Sequence, residues 1–311
     1  CGFKGPMTMK PAINFMGVRN IAFAVTLVLT LLSLGSLAFK GLNFGLDFTG
    51  GTLIEVSYEQ PIQPDVVREQ LAKAGFADAQ VQSFGATTDV LVRLAGDDPM
   101  LGNKVAQALQ PLDGGNQPTI KRVEFVGPAV GEELRDQGGL GMLLALAGIM
   151  LYVAFRFQWK FGAGAIVSLF HDVIVTLGVF SLFQIPFDLS VLAAVLAIIG
   201  YSLNDTIVIF DRVRENFRLL RKADLIENIN ISTTQTLLRT LATSISTLLA
   251  IAALMIFGGE SLWGFSLALF IGVSAGTYSS VFIACVFLVW LKLTREDLIP
   301  PVEADAADER P

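Results

Sequence analysis

The sequence predicts an all-α membrane bundle of six helices with one small α+β domain outside the membrane. Three observations carry this. Hydrophobic residues make up 53% of the chain and charged ones 16%, where a soluble domain carries about a quarter charged residues. The apolar residues gather into blocks near or above the roughly 18 needed to cross a bilayer. Between the first two blocks, residues 42–135 are polar and patterned like a folded domain.

The blocks are Ile21–Phe39, Gly138–Phe155, Phe161–Phe183, Leu189–Phe210, Thr236–Phe257 and Leu262–Leu291. A helix satisfies its backbone hydrogen bonds internally, and no alternating barrel pattern appears in them, so each is a spanning helix. The first block reads as a retained helix, because Lys40 follows it directly and no small-residue cleavage pattern intervenes. Cys1-Gly2-Phe3-Lys4-Gly5-Pro6, ahead of Met7 and Met9, reads as an added segment or as part of a longer precursor.

Short loops rich in Lys and Arg stay in the cytoplasm. Lys4, Lys10 and Arg19 precede the first helix, and Arg156 and Lys160 join the second to the third. Arg212, Arg214, Arg218, Arg221 and Lys222 follow the fourth, and Lys292 and Arg295 follow the sixth. The opposite loops, 184–188 and 258–261, carry neither residue. Both termini are therefore expected in the cytoplasm, with 1–20 as the N-terminal segment and 292–311 as the tail. Helix one takes 21–39 and helices two to six take 138–291. The 42–135 domain is then outside, in the periplasm of a diderm bacterium. The tail from Pro300, acidic and Ala-rich, is expected to be disordered.

Within the outer domain, residues 53–58 alternate as a half-buried strand does. Pro64 and Asp65 open a helix that Gly75 ends, with Val67, Leu71 and Ala74 on one face. Strands at Gln80–Phe84 and Asp89–Leu94 follow, with a turn at Gly85–Thr88. A second helix carries Leu101, Val105 and Leu109, and a last strand covers Ile120–Val126. This β-α-β-β-α-β order is ferredoxin-like.

Ionisable residues inside membrane helices cost about 2.5–3.5 kcal/mol each on insertion scales and mark functional sites. His171 and Asp172 lie near the middle of the third helix, Asn204 and Asp205 in the inner half of the fourth, and Arg239 one turn into the fifth. Asp211, beside Arg212 and Arg214, reads as a solvated helix end. Tyr201, Ser202 and Asp205 share one helix face. Thr236, Arg239, Thr243 and Ser246 form a polar stripe on the next helix. Facing each other, the stripes bring Asp205 near Arg239. Two readings of that pair stand: a structural ion pair, or a carboxylate that binds and releases a proton as it pairs and unpairs. At roughly 150 mV one proton supplies about 3.5 kcal/mol of electrical energy. His171 and Asp172 are likewise either relay members or satisfied by neighbouring helices.

Other chemistries are excluded or weighed against. No G-x-x-x-x-G-K-[ST] loop is present, and a single histidine rules out H-E-x-x-H. Cys1 and Cys285 make no C-x-x-C pair, and the net charge of −6 argues against nucleic acid as a partner. Gly272-Val273-Ser274-Ala275-Gly276 fits G-x-S-x-G, and Ser274 with His171 is the competing serine-hydrolase reading. The same residues form G-x-x-x-G, which lets membrane helices pack closely. Packing is the expectation because the motif falls mid-helix. No metal, cofactor or enzymatic reaction is expected, protons being the coupling ion.

Several motifs together resemble the SecF family. They are Gly45-Leu46-Asp47-Phe48-Thr49-Gly50-Gly51, Phe170-His171-Asp172-Val173, Gly200-Tyr201-Ser202-Leu203-Asn204-Asp205-Thr206 running into Asp211-Arg212-Val213-Arg214-Glu215-Asn216, and Thr236-Leu237-Leu238-Arg239-Thr240. The likeness runs from about residue 12 to 296. It implies a bundle similar in plan to half of a resistance-nodulation-division transporter, with SecD as the other half and the SecYEG translocon as a further partner. It implies that proton flow helps draw a translocating polypeptide into the periplasm, that Asp205 and Arg239 serve proton passage, and that the outer domain handles the emerging chain. A small-molecule or lipid exporter on the same half-transporter plan is the alternative. An outer domain this small and the lack of a second fused half argue against it.

Overall fold

The computed structural model describes residues 12–96, 98, 100–109, 115–220, 223–294 and 297. The expectations for residues 1–6 and for the tail beyond Pro300 lie outside the described residues. The chain divides into two compact units. One comprises Cys1–Leu42, Ala145–Ile185 and Ala193–Pro311, and the other Asn43–Leu144 with Pro186–Leu192.

The helices are α1 Arg19–Phe39, α2 Leu46–Thr49, α3 Pro64–Lys73, α4 Leu101–Ala108, α5 Pro128–Arg156, α6 Trp159–Phe183, α7 Leu189–Leu219, α8 Leu225–Phe257, α9 Glu260–Ser279 and α10 Cys285–Trp290. The strands are β1 Asn43–Phe44, β2 Gly51–Tyr58, β3 Gln80–Phe84, β4 Ala86–Leu94, β5 Pro118–Val126 and β6 Pro186–Phe187. A π-helical turn, Ser280–Ala284, joins α9 to α10. Six helical stretches among the described residues are long and apolar enough to cross a membrane: α1 with the turn before it, α5, α6, α7, α8, and α9 through α10.

Three of these helices extend well beyond their hydrophobic blocks, by eight residues or more. α5 starts at Pro128 rather than Gly138, α7 continues past Phe210 to Leu219, and α8 starts at Leu225 rather than Thr236. Hydropathy marks only the lipid-contacting part of a helix, whereas its ends are set by caps. At α8 the Asp224 side chain accepts from the Glu227 N–H at 2.7 Å, eleven residues before the expected start. Proline at the first position of α5 needs no N–H partner. The last eight residues given to the outer domain, 128–135, thus belong to a helix.

In the bundle unit α6, α7 and α9 are the most enclosed helices, and small residues set their approach. A Cβ on Gly178 of α6 would lie 2.2 Å from Ser33 of α1, and Ser36 and Ser181 hydroxyls bond at 2.9 Å beside it. A Cβ on Gly272 of α9 would lie 2.3 Å from Ile198 of α7. Backbones this close gain dispersion contacts that bulkier residues forbid. Phe157, Phe161 and Phe210 fill one end of the core: Phe210 meets the other two rings edge-on at 6.0 and 5.1 Å, and Phe157 stacks on Phe161 at 6.4 Å. There Asp211, a carboxylate predicted to be merely solvated, bonds Arg156 at 2.6 Å and lies 3.6 Å from Arg214.

The second unit is built on an antiparallel sheet with strand order β3-β4-β2-β5. Ile54 pairs with Val92 and Val56 with Val90, placing these side chains on one face. Val67 and Leu71 of α3 and Val105 of α4 pack against that face, all fully buried. The opposite face carries Leu53, Glu55, Ser57, Asp89 and Leu91. β5 has an irregularity opposite Glu55 and Val56, where Lys121 is the extra residue. It brings two successive cations to this face: Lys121 bonds Asp89 at 2.7 Å and Arg122 lies 3.7 Å from Glu55. Burial alone would raise the Asp89 carboxyl, but bonds from Lys121 and Ser57 outweigh it and hold it below its ordinary 3.8. Gly50 and Gly51 take φ of +65° and +111°, and a Cβ on Gly51 would lie 2.4 Å from the Leu94 carbonyl. No other residue fits that corner.

Candidate functional site

The polar side chains of α6, α7, α8 and α9 converge inside the bundle as two connected clusters. In the first, Asp172 of α6 is fully buried. Its Oδ2 accepts from Ser202 Oγ of α7 at 2.5 Å and Ser279 Oγ of α9 at 2.7 Å. Its Oδ1 lies 3.0 Å from His171 Nδ1. Ser168, one turn back on α6, donates to Ser279 at 2.9 Å. His171 is 5% exposed, and its Nε2 has no hydrogen-bond partner among the described residues. Neighbouring helices thus supply donors to Asp172, while the imidazole keeps one nitrogen free.

The second cluster surrounds Asp205 of α7, which is 3% exposed. Ser244 of α8 sits beside its carboxylate. Ser244 in turn meets Thr277 of α9 at 2.8 Å and receives the Tyr201 hydroxyl at 3.3 Å. Asp205 Oδ2 has no partner among the described residues. Thr206, the next residue on α7, bonds Ser280 at 3.0 Å, linking α7 to the π-helical turn. The π-helical turn begins at Ser280, and such turns recur at functional sites because they re-aim side chains.

Several predicted residues lie elsewhere. Arg239 is on the exposed side of α8, and no ion pair within 4.0 Å joins it to Asp205 among the described residues. Its guanidinium remains within electrostatic reach of the carboxylate. Asn204 is exposed on α7 and takes no part in either cluster. Thr243 and Ser246 are also exposed and bond their own helix carbonyls at 2.9–3.1 Å. The α8 face that enters the core is Ser232, Thr236, Thr240 and Ser244, at strict spacing of four, with Asn228 preceding it. Hydroxyls bonded to their own helix tolerate either environment, so of the stripe read from polar spacing only Thr236 reaches the core.

Ser274 is exposed and donates to the Phe270 carbonyl at 2.7 Å, in the middle of a continuous helix. No nucleophile elbow forms there. Gly272 and Gly276 are contact points, facing Ile198 and Ser202 of α7, whereas Ser274 is not. Sequence spacing does not single out Ser168, Thr206 and Ser244. Thr277, Ser279 and Ser280 continue the small-residue surface of the helix that holds Gly272 and Gly276. Their signal was a serine or threonine at each of positions 277, 279 and 280, next to the close-packing glycines.

The fold and these clusters define a multi-pass helical membrane protein with acidic side chains buried between its helices. Comparison with known proteins narrows that class. The family model for protein export membrane protein SecD/SecF, C-terminal, matches residues 104–294, and that for the SecD/SecF GG motif matches 35–62. Protein translocase subunit SecF of Pseudomonas aeruginosa is 71% identical over 96% of this chain and 98% of its own length. The SecF subunit of Escherichia coli O157:H7 is 45% identical over 96% and 94%. The crystal structure of SecDF, a translocon-associated membrane protein from Thermus thermophilus, superposes with a TM-score of 0.82 at 38% identity over 93% of this chain. This chain spans 40% of that longer one. The chain belongs to the SecF family of protein translocase subunits, multi-pass proteins of the bacterial inner membrane.

Proposed function

We propose that this chain works with a SecD subunit to couple proton flow to polypeptide export, using Asp205 and Asp172 as proton-exchanging carboxylates. The observation that carries this is Asp205: a membrane-buried carboxylate with one oxygen unpartnered and, among the described residues, no cation within ion-pair distance. A buried charge in that condition is costly. Uptake of a proton relieves the cost, and approach of Arg239 relieves it differently, so two arrangements of α7 and α8 compete for the same group. Thermodynamic drive then passes from the proton gradient to helix packing. This is a revision of a standing Asp205–Arg239 pair: the pair belongs to the alternative arrangement.

Under this reading both termini are cytoplasmic and the second unit is a periplasmic domain of ferredoxin-like class, a reading its strand order supports. It handles the emerging polypeptide beside the SecYEG translocon. The word translocon-associated in the name of the similar SecDF structure supports that partnership. The device is a transporter rather than an enzyme, with protons as its coupling ion. The test is polypeptide-stimulated proton flux in vesicles holding this chain and its SecD partner. Asp205→Asn and Arg239→Ala should each abolish the stimulated flux. Flux at the unsubstituted level in both would reduce the two residues to structural roles.

A further inference from the structure

A groove of about 340 Å³ opens on the side of the bundle between α1, α6 and the π-turn–α10 segment. Phe23, Leu27, Phe170, Val286 and Trp290 line it together with the 5% exposed His171. On α1 the lining runs from Ala22 to Thr30, which is about 12 Å along the helix axis. Phe23 and Trp290 rings meet edge-on at 4.5 Å and tie α1 to α10 at the outer end. Tyr278 donates to the Ala22 carbonyl at 2.8 Å and fixes α1 from behind.

The outer end is flanked by positive charge. Arg19 lies one turn before Ala22 on α1, and Lys292 follows Trp290 by two residues. Neither forms an ion pair among the described residues. All the lining helices are membrane spans, so what reaches the groove arrives from the bilayer. An apolar slot entered from lipid, with two cations and a tryptophan at its mouth, matches one ligand chemistry: an acyl chain attached to a phosphate.

We propose that this groove is a binding site for an anionic phospholipid, one acyl chain lying in the slot and the headgroup phosphate held by Arg19 and Lys292. The end of the chain packs over the His171 ring and keeps water from reaching the Asp172 cluster by this side. The site is independent of the proton-coupling reading, since it rests on shape and charge alone.

Trp290 reports directly on occupancy. The full chain carrying Trp159→Phe and Trp263→Phe is placed in phosphatidylcholine vesicles, and brominated-chain phosphatidylglycerol or brominated-chain phosphatidylcholine is added in steps. The expected result is saturable quenching of Trp290, with the anionic lipid half-effective at a roughly tenfold lower mole fraction. Arg19→Gln with Lys292→Gln should bring the two lipids together, and Ile174→Phe should lower the maximal quenching by filling the slot. Quenching in simple proportion to mole fraction, equal for both lipids, would overturn the proposal. So would a lipid preference untouched by the two charge substitutions, or full relief of quenching by inorganic phosphate, which would mean a soluble-anion site.

Discussion

Asp89 of the sheet and Asp172 of the bundle look alike in isolation. Each is at most 4% exposed, and each has three side chains bonded to its carboxylate. They differ in what the partners are. Asp89 is held by two hydroxyls and by Lys121, a group that only donates and carries a full charge. Asp172 is held by two serine hydroxyls and an imidazole, all of which can either donate or accept. A proton added to Asp89 breaks its network, whereas one added to Asp172 can be accommodated by turning the hydroxyls. The sheet acid is a fixed charge, whereas the bundle acid sits among groups that suit either protonation state.

The sharpest way to break this comparison is to make one substitution in both places. Asp172→Leu strands donors from α6, α7 and α9 without water, at a cost of about 3 kcal/mol. Asp89→Leu frees Lys121, whose side chain is 44% exposed and swings into solvent, so the cost is about 1 kcal/mol. Thermal unfolding in detergent checks the first, and amide exchange along β4 the second. Equal losses would mean that the partners' chemistry does not matter. Asp172→Asn should retain most of the stability that Asp172→Leu loses, because a carboxamide still accepts from both serines.

Packing gives the next largest effect. Gly272→Ala, with its new methyl 2.3 Å from Ile198, is expected to cost about 1–3 kcal/mol. Gly200→Ala on α7 meets nothing within 4 Å and should be neutral or stabilising. A shared response would show that the α7–α9 contact is not tight.

The smallest effect is the pH response of the sheet. Asp89 has a depressed carboxyl, so its contribution is complete above the unfolded value of 3.8 and is lost as pH falls through the lower folded value. The change should stay below about 1 kcal/mol, and Lys121→Met should flatten it, as read by amide exchange in β2 and β4.

Hydropathy and alternation made the six spans and the strands at 80–84 and 89–94 legible, because both patterns follow from burial on one side. Helix ends at Pro128, Leu219 and Leu225 were not, since caps and polar extensions carry no hydropathy signal. The acids at 172 and 205 stood out as charges in apolar sequence. Arg239 and Asn204 stood out equally, yet the structure puts both on exposed faces, because sequence shows depth along a helix better than direction around it. Ser244 escaped notice for the opposite reason: a serine costs little in a membrane helix, so nothing flags the one beside an acid.

The most direct measurement is the protonated-carboxyl band in infrared difference spectra of the full chain in lipid, recorded between acid and alkaline samples. The account predicts bands from buried acids, one removed by Asp205→Asn and one by Asp172→Asn, while Asp89→Asn leaves both in place. Spectra unchanged by either bundle substitution would contradict it, because those carboxylates would then hold one protonation state throughout.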